Sequence, residues 1–162
     1  MRSPCFYVGV SALVLGLVRS SFGVQQLRPE HFGAIGDGFT DDTIAIRQAA
    51  AAVGDGDTLL FSTGKTYLTG PWNITDRQNV NIVVEAGSLV QALDMDRWPE
   101  SECLPNFRLR ALEANQIGNE HPCSPFIRFN QVDGLRVSGG GTVDGAGSQW
   151  WKEHDRVSFL HI

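Results

Sequence analysis

Paired carboxylates stand early in the chain, within the segment FGAIGDGFTDDTIAI that runs from Phe32 to Ile46. Asp41 and Asp42 are adjacent, and Asp37 precedes them between two glycines. Neighbouring carboxylates serve as acid and base in many hydrolases, and they are also ligands for hard cations. The segment therefore has either a chemical or a structural role, and the elements around it decide between the two.

A helix is predicted directly after these aspartates, because TDDTIAIRQAAAAV combines a helical spacing of apolar residues with an alanine-rich run. Its apolar positions are Ile44, Ile46, Ala49, Ala50 and Val53. Thr40, Asp41 and Asp42 can each accept a hydrogen bond from the first turn, and the two carboxylates oppose the positive end of the helix dipole. Asp42, if it is the cap, would contribute about 1 kcal/mol. Asp37 is interpreted as a turn residue, so all four are predicted to be structural.

Residues 1–23 have the features of a secretory signal peptide: a short basic start, the apolar run CFYVGVSALVLGLV, and small residues before a cleavage point at Val24. The competing interpretation is a membrane anchor. A span needs about 20 apolar residues, and this run is shorter and is followed by Arg19. We therefore expect a secreted protein, extracellular or in the cell wall, with no membrane association after the signal is removed.

Secretion changes the interpretation of two further motifs. Cys5 would leave with the signal, so Cys103 and Cys123 remain as a candidate disulfide, worth roughly 3 kcal/mol for a loop of about 20 residues. Two free buried thiols are the alternative. Asn73 begins the sequon NIT, which predicts N-glycosylation.

Composition excludes several classes of protein. A formal charge of −5 without a basic run argues against nucleic-acid binding. The four histidines show no paired ligand spacing, so we expect neither a metal site nor a cofactor; they are His31, His121, His154 and His161. The glycine-rich GGGTVDG has neither a following helix nor the lysine of a phosphate-binding loop. Its Asp144 is interpreted as a turn residue, and Trp150 and Trp151 as packing residues or, alternatively, sugar-stacking ones.

The rest of the chain is predicted to form short strands, as in TLLF, TYLT, NVNIVV, FIRF, RVSGG and GTVDG. The absence of a second helical pattern argues against a doubly wound sheet and leaves a sandwich, a barrel or a parallel solenoid. A solenoid needs a polar-faced unit that closes one end of its core. One helix followed by short strands has that order. The polar segment 94–124, which holds both cysteines, is expected to be a loop outside the scaffold.

The motifs also resemble a known family. The opening FGAIGDGFTDDTIAIRQA resembles the pectin-lyase-like superfamily, and GKTYLTGPWNI, SLVQALDMDRWP and GGGTVDGAGSQWW resemble glycoside hydrolase family 28, the polygalacturonase group. The resemblance runs from about Phe32 to Trp151. It implies an all-β, right-handed parallel β-helix with an N-terminal capping helix. Residues 24–162 would form the N-terminal part of this domain, incomplete at its C-terminus.

The resemblance implies inverting hydrolysis of α-1,4-galacturonan without a metal. Family members use Asn-Thr-Asp, Asp-Asp, Gly-His-Gly and Arg-Ile-Lys motifs, and none of the four can be matched here, since Asp41-Asp42 precedes the predicted helix. Catalytic residues are therefore expected downstream of Ile162, and the chain alone is expected to be inactive. The complete domain is expected to be a monomer that binds pectic or other acidic polysaccharide. The alternatives are a non-catalytic secreted polysaccharide-binding β-helix and a calcium-dependent pectate-lyase type.

Overall fold

The computed structural model describes residues 23–99, 124–148 and 160–161. Of the predicted signal peptide only Gly23 is among them, and Cys103, Cys123, Trp150, Trp151, His121 and His154 lie outside these ranges. No helix among the described residues has the length and apolar character needed to cross a membrane.

Strands dominate the described ranges. They are β1 Gln26–Leu27, β2 Asp37–Asp41, β3 Thr58–Phe61, β4 Thr66–Thr69, β5 Trp72–Gln78, β6 Asn81–Val84, β7 Leu89–Ala92, β8 Ile127–Asp133, β9 Arg136–Gly139, β10 Thr142–Asp144 and β11 Leu160–His161. The described helices are α1 Thr43–Ala52 and two short 3-10 helices, Pro29–Phe32 and Met95–Arg97. One early α-helix followed by short strands was predicted from the sequence, but β1 and β2, which precede that helix, were not.

The strands form three parallel sheets that the chain visits in a repeating order. The first sheet is ordered β1-β3-β6-β9, the second β2-β4-β7-β10 and the third β5-β8-β11. Every pairing between neighbours is parallel. From β3 onward the described strands run first, second, third, then first again, and this arrangement is compatible with a parallel β-helix. It excludes a doubly wound sheet, in which helices would separate the strands.

The core lies between the sheets, because alternate residues of each strand point inward. Strands β4, β6 and β7 show this alternation directly, with every second residue buried. Large side chains from different sheets meet inside: the rings of Phe61 and Tyr67 are 5.3 Å apart and edge to face, and those of Phe61 and Trp72 are 6.1 Å apart. This aromatic packing joins the three sheets.

Helix α1 packs on the core with one face, and polar contacts fix both of its ends. Ile46 and Ala49 are fully buried, whereas Ile44 is 73% exposed. Including Ile44 in the apolar face was therefore wrong, because it lies two residues from Ile46 and so points to a different side of the helix. Beyond the C-terminal end, the backbone N–H of Gly54 donates to Asp57 Oδ2 at 2.8 Å, and Arg77 Nε donates to the carbonyl of Val53 at 2.7 Å.

Candidate functional site

Asp37 is the first residue of β2, at the place where the pairing of β2 with β4 is irregular, and does not lie in a separate turn as the sequence predicted. Its Oδ1 accepts hydrogen bonds from the backbone N–H groups of Phe39 at 2.8 Å and Thr40 at 2.7 Å, and its Oδ2 accepts one from the Thr40 hydroxyl at 2.9 Å. The backbone bonds from Thr40 and Phe39 lower the pKa of the Asp37 carboxyl, because they favour the charged form. Both carboxylate oxygens of Asp37 and the Thr40 hydroxyl therefore make hydrogen bonds within residues 37–40, and the Thr40 hydroxyl bonds to Asp37, not to the start of α1.

Asp41 makes the contact with the start of α1. Its Oδ1 accepts hydrogen bonds from both the backbone N–H of Thr43, at 2.9 Å, and the Thr43 hydroxyl. The same hydroxyl oxygen accepts a hydrogen bond from the backbone N–H of Gly70 at 2.7 Å. The side chains of Asp41 and Thr43 therefore tie the first turn of the helix to the bend between β4 and β5.

Asp42 occupies the cap position without capping the helix through its side chain. Its carboxylate accepts hydrogen bonds from the backbone N–H groups of Ile35 at 2.7 Å and Gly36 at 3.1 Å. A capping side chain requires extended backbone, and Asp42 has φ −89° and ψ 8°, so its carboxylate faces the preceding loop. Burial raises the pKa of Asp42, whose side chain is 3% exposed. The expectation that Asp42 is the cap is corrected here, since Asp41 makes that contact.

The paired aspartates are therefore occupied by hydrogen bonds that shape the loop and the helix start. No group of three or more histidine, cysteine, aspartate or glutamate side chains suited to a metal ion occurs within the described ranges. Asp144 is the last residue of β10, and its Oδ1 accepts a hydrogen bond from the backbone N–H of Ala146 at 2.9 Å, two residues further along the chain. A Cβ at Gly141 would lie 2.5 Å from the carbonyl oxygen of Glu85, so backbone packing explains that glycine.

A different place in the structure has the shape of a ligand site. A cavity of ≈ 390 Å³ lies beside α1, β5 and the start of β8. We call it the arginine cleft, and its lining residues are Arg47, Ala51, Pro71, Trp72, Asn73, Ser124, Pro125 and Arg128. Its volume falls within the range of about 300–1,000 Å³ that is usual for small-molecule pockets.

The fold brings the polar groups of the arginine cleft together from three distant segments. Arg47 projects from α1, and its Nε donates to the carbonyl of Pro71 at 2.6 Å. Asn73 and Arg128 are register partners in β5 and β8, and both are exposed. Among the residues that the structure describes, the cleft is lined by two guanidinium groups and by no carboxylate, so this part of it is suited to an anionic ligand.

Sequence reasoning missed both arginines. Arg47 lies inside a helical pattern, and Arg128 occupies an outward position in the strand FIRF. Neither has a motif of its own, and only the long-range pairing of β5 with β8 places Arg128 beside Asn73. The one feature of the sequence that could have indicated this site is the charged side chain of Arg128 at a solvent-facing position of a predicted strand.

Comparisons with known proteins identify relatives of the chain. It is 31% identical over 137 residues to a probable endo-xylogalacturonan hydrolase A of Aspergillus niger, covering 78% of this chain and 28% of that protein. A probable polygalacturonase of Arabidopsis thaliana is 25% identical over 157 residues, covering 94% of this chain and 29% of that protein. The chain is therefore related to the polygalacturonases. The resemblance drawn from its motifs is confirmed.

Two further findings define the extent of this relationship. The chain spans less than a third of the length of these relatives, and no protein-family model matches it. Its fold is similar to the crystal structure of a "putative glycosyl hydrolase" from Parabacteroides merdae, with a TM-score of 0.50 and 20% identity, over 83% of this chain and 54% of that one. At this identity the likeness concerns the fold alone.

Proposed function

We propose that the chain is the N-terminal part of a secreted glycoside hydrolase that cleaves the α-1,4-galacturonan of pectin with inversion. The observation that carries the proposal is its 31% identity over 137 residues to a probable endo-xylogalacturonan hydrolase. The repeating order of three parallel sheets supports a right-handed parallel β-helix for its domain. In this proposal α1 caps the N-terminal end of the helix.

The exposure of β9 and β10 supports a domain that continues. Val137 pairs with Ile82 and Val143 pairs with Val90, so each pair lies on the same face of its sheet. Ile82 is 3% and Val90 1% exposed, whereas Val137 is 58% and Val143 46% exposed. A further coil stacked on β9 and β10 would bury these two valines, as the stacking of β9 and β10 buries the residues below them.

Inverting hydrolysis needs one carboxylic acid to protonate the leaving oxygen and one carboxylate to activate water on the opposite face of the sugar. These groups stand roughly 6.5–9.5 Å apart. Asp37, Asp41 and Asp42 hold backbone N–H groups instead, so in this proposal the catalytic carboxylates lie downstream of Ile162.

The secreted state carries further proposals. The signal is removed before Val24, and Cys103 pairs with Cys123. Asn73 carries an N-glycan, and its exposed position on β5 supports this assignment. Mass spectrometry of protein secreted from a eukaryotic host, before and after glycosidase treatment and reduction, tests all three.

The test of function extends the reading frame past Ile162. We expect it to continue into Asn-Thr-Asp, Asp-Asp, Gly-His-Gly and Arg-Ile-Lys, and we expect the extended protein to release reducing ends from polygalacturonate. The chain alone should release none. An unrelated downstream sequence, or an extended protein inactive on every pectic polysaccharide, would refute the proposal. Calcium-dependent formation of unsaturated products would replace it with the lyase mechanism.

A second candidate is a non-catalytic polysaccharide-binding protein, and the arginine cleft favours it. This candidate predicts retention of the chain on an immobilised acidic polysaccharide without any cleavage by the extended protein. Hydrolysis by the extended protein would eliminate it.

A further inference from the structure

The geometry points to a carboxylate subsite in the arginine cleft, where Arg47 and Arg128 bind the carboxylate of a uronate residue in an acidic polysaccharide. This inference rests on the proposed function, because it assigns two residues of this chain to the acidic polymer on which such an enzyme would act. Nothing in the motifs of the sequence assigns a ligand to this place.

The charge of the cleft differs from that of the chain. The chain carries a formal charge of −5, yet the described residues that line the cleft include two arginines and no aspartate or glutamate. The planar guanidinium fork matches a carboxylate with two parallel hydrogen bonds. Arg128 is exposed, and its guanidinium makes no hydrogen bond or ion pair with another residue that the structure describes. Its donors are therefore available to a ligand.

The position of Arg47 is fixed by the scaffold. It is half-buried, and its Nε donates to the carbonyl of Pro71, which is itself a wall of the cleft. This bond holds the guanidinium at the cleft instead of leaving it to move in solvent. Less side-chain entropy is then lost when an anion binds, which is the usual advantage of a preorganised site.

The surroundings suit a sugar in a polymer. Asn73, register partner of Arg128, contributes an amide, while Pro71 and Pro125 contribute apolar surface. Neighbouring strands lie about 4.8 Å apart. A polymer lying along the third sheet, from β5 over β8 toward β11, would pass the arginine cleft.

The glycosylation sequon shares this surface. Asn73 Nδ2 donates to Thr75 Oγ1 at 3.1 Å, and Asn73 lines the arginine cleft while Thr75 does not. A glycan on Asn73 would therefore project from the wall of the cleft. Glycosylated chain should bind an acidic polysaccharide more weakly than chain without the glycan.

The test measures binding of an oligogalacturonate by the full chain, using isothermal titration calorimetry. Arg128→Gln removes one guanidinium and should raise Kd about tenfold, as expected for a lost charge-assisted contact. Arg136→Gln is the matched control, because Arg136 is also an exposed strand arginine but belongs to the first sheet and is not among the lining residues of the cleft. The Kd of this variant should stay within about twofold of wild type, since salt screens an exposed charge outside the site. Fully methyl-esterified oligomer, which lacks the charge, should bind wild type and Arg128→Gln alike.

A second variant keeps the inference testable if Arg128→Gln fails to fold. Asn73→Asp introduces a carboxylate into the cleft while retaining both arginines. Because it also removes the sequon, it is compared with wild type produced without glycosylation, and it should weaken binding. The glycan is tested by comparing wild type with Thr75→Val, both secreted from a glycosylating host; Thr75→Val, which lacks the sequon, should bind more tightly.

The inference is overturned if wild type does not bind the oligogalacturonate, or if Arg128→Gln and Arg136→Gln weaken binding equally. Its failure can be distinguished from that of the proposed function. Hydrolysis of polygalacturonate by the extended wild-type protein, without uronate binding at the cleft, would refute the subsite and leave the function standing. Binding at the cleft by a protein whose extended form hydrolyses no pectic polysaccharide would refute the function.

Discussion

Replacing Asp42 with alanine should destabilise the chain far more than a helix-cap substitution does. The Asp42 carboxylate is 3% exposed and accepts hydrogen bonds from two backbone N–H groups, at 2.7 Å from Ile35 and 3.1 Å from Gly36. The alanine variant would leave both donors without this partner, one of them in a buried bond. The same carboxylate orients the loop that leads into β2.

The magnitude follows from these two bonds. A hydrogen bond to a charged group contributes about 1.5–3 kcal/mol, so two of them give an upper value of about 6 kcal/mol. The variant also recovers the cost of burying the carboxylate, which is the main cause of the raised pKa of Asp42. We therefore expect a net loss of about 3 kcal/mol, or a Tm lowered by about 6–12 °C in a domain of this size. Asp41→Ala, which removes the contact to the Thr43 N–H, should cost only about 1 kcal/mol.

Urea unfolding followed by circular dichroism measures the free energies of unfolding of wild type and of each variant. Asp94→Ala is the control, since Asp94 is exposed, and it should change stability by less than about 0.5 kcal/mol. A loss of about 1 kcal/mol or less for Asp42→Ala, with a larger loss for Asp41→Ala, would show that Asp42 is the cap after all.

Three further predictions concern other parts of the structure. Gly139→Ala should lower the free energy of unfolding in urea by more than about 3 kcal/mol, because Gly139 has φ +117° and a Cβ there would lie 1.9 Å from the Val84 carbonyl oxygen. The control Gly64→Ala should cost about 1 kcal/mol, because Gly64 has φ +70° but nothing within 4 Å of an added Cβ. Equal losses for the two variants would contradict the close packing at Gly139. Burial raises the pKa of Tyr67 to about 12, and Tyr67 is the one tyrosine left after residues 1–23 are removed. The phenolate absorbance of the folded chain should therefore rise near pH 12, and a rise near pH 10 while the chain is still folded would contradict the burial of Tyr67. The pKa of Asp37 in the folded chain lies below 3.8, so the stability that its carboxylate contributes is complete above pH 3.8 and is lost as the pH falls through the lowered pKa. The Tm difference between wild type and Asp37→Asn should therefore shrink on acidification. A difference that widens would show that the pKa of Asp37 is raised, not lowered.

Local patterns in the sequence predicted the local elements. The run TDDTIAIRQAAAAV predicted α1, and short apolar runs predicted most strands after it, because helical and strand periodicities extend over only a few residues. Strand β2 was not predicted, because its residues Asp37–Asp41 are mostly polar and include a glycine, and only pairing with β4 makes them a strand. The sequence could not predict that Asp41, and not Asp42, contacts the first turn of α1. That outcome depends on the backbone angles of Asp42 and on the approach of Ile35 and Gly36 to its carboxylate.

The arginine cleft could not be predicted from local sequence patterns either, because it too depends on contacts between distant parts of the chain. The arginine cleft requires Arg47 of α1, Asn73 of β5 and Arg128 of β8 to meet, and the sequence separates them by long intervals. Their meeting is set by parallel register across the third sheet, where Asn73 faces Arg128. Register in parallel sheets is fixed by the packing of the whole stack, which no single strand encodes.

The stereochemistry of hydrolysis tests the central proposal most directly. Proton NMR follows the anomeric signals of the first product when the protein extended past Ile162 acts on an oligogalacturonate, with the 162-residue chain as a parallel sample. The account predicts that the β-anomer appears first from the extended protein and that the chain alone yields no product. The α-anomer appearing first, an unsaturated product, or cleavage by the chain alone would contradict it.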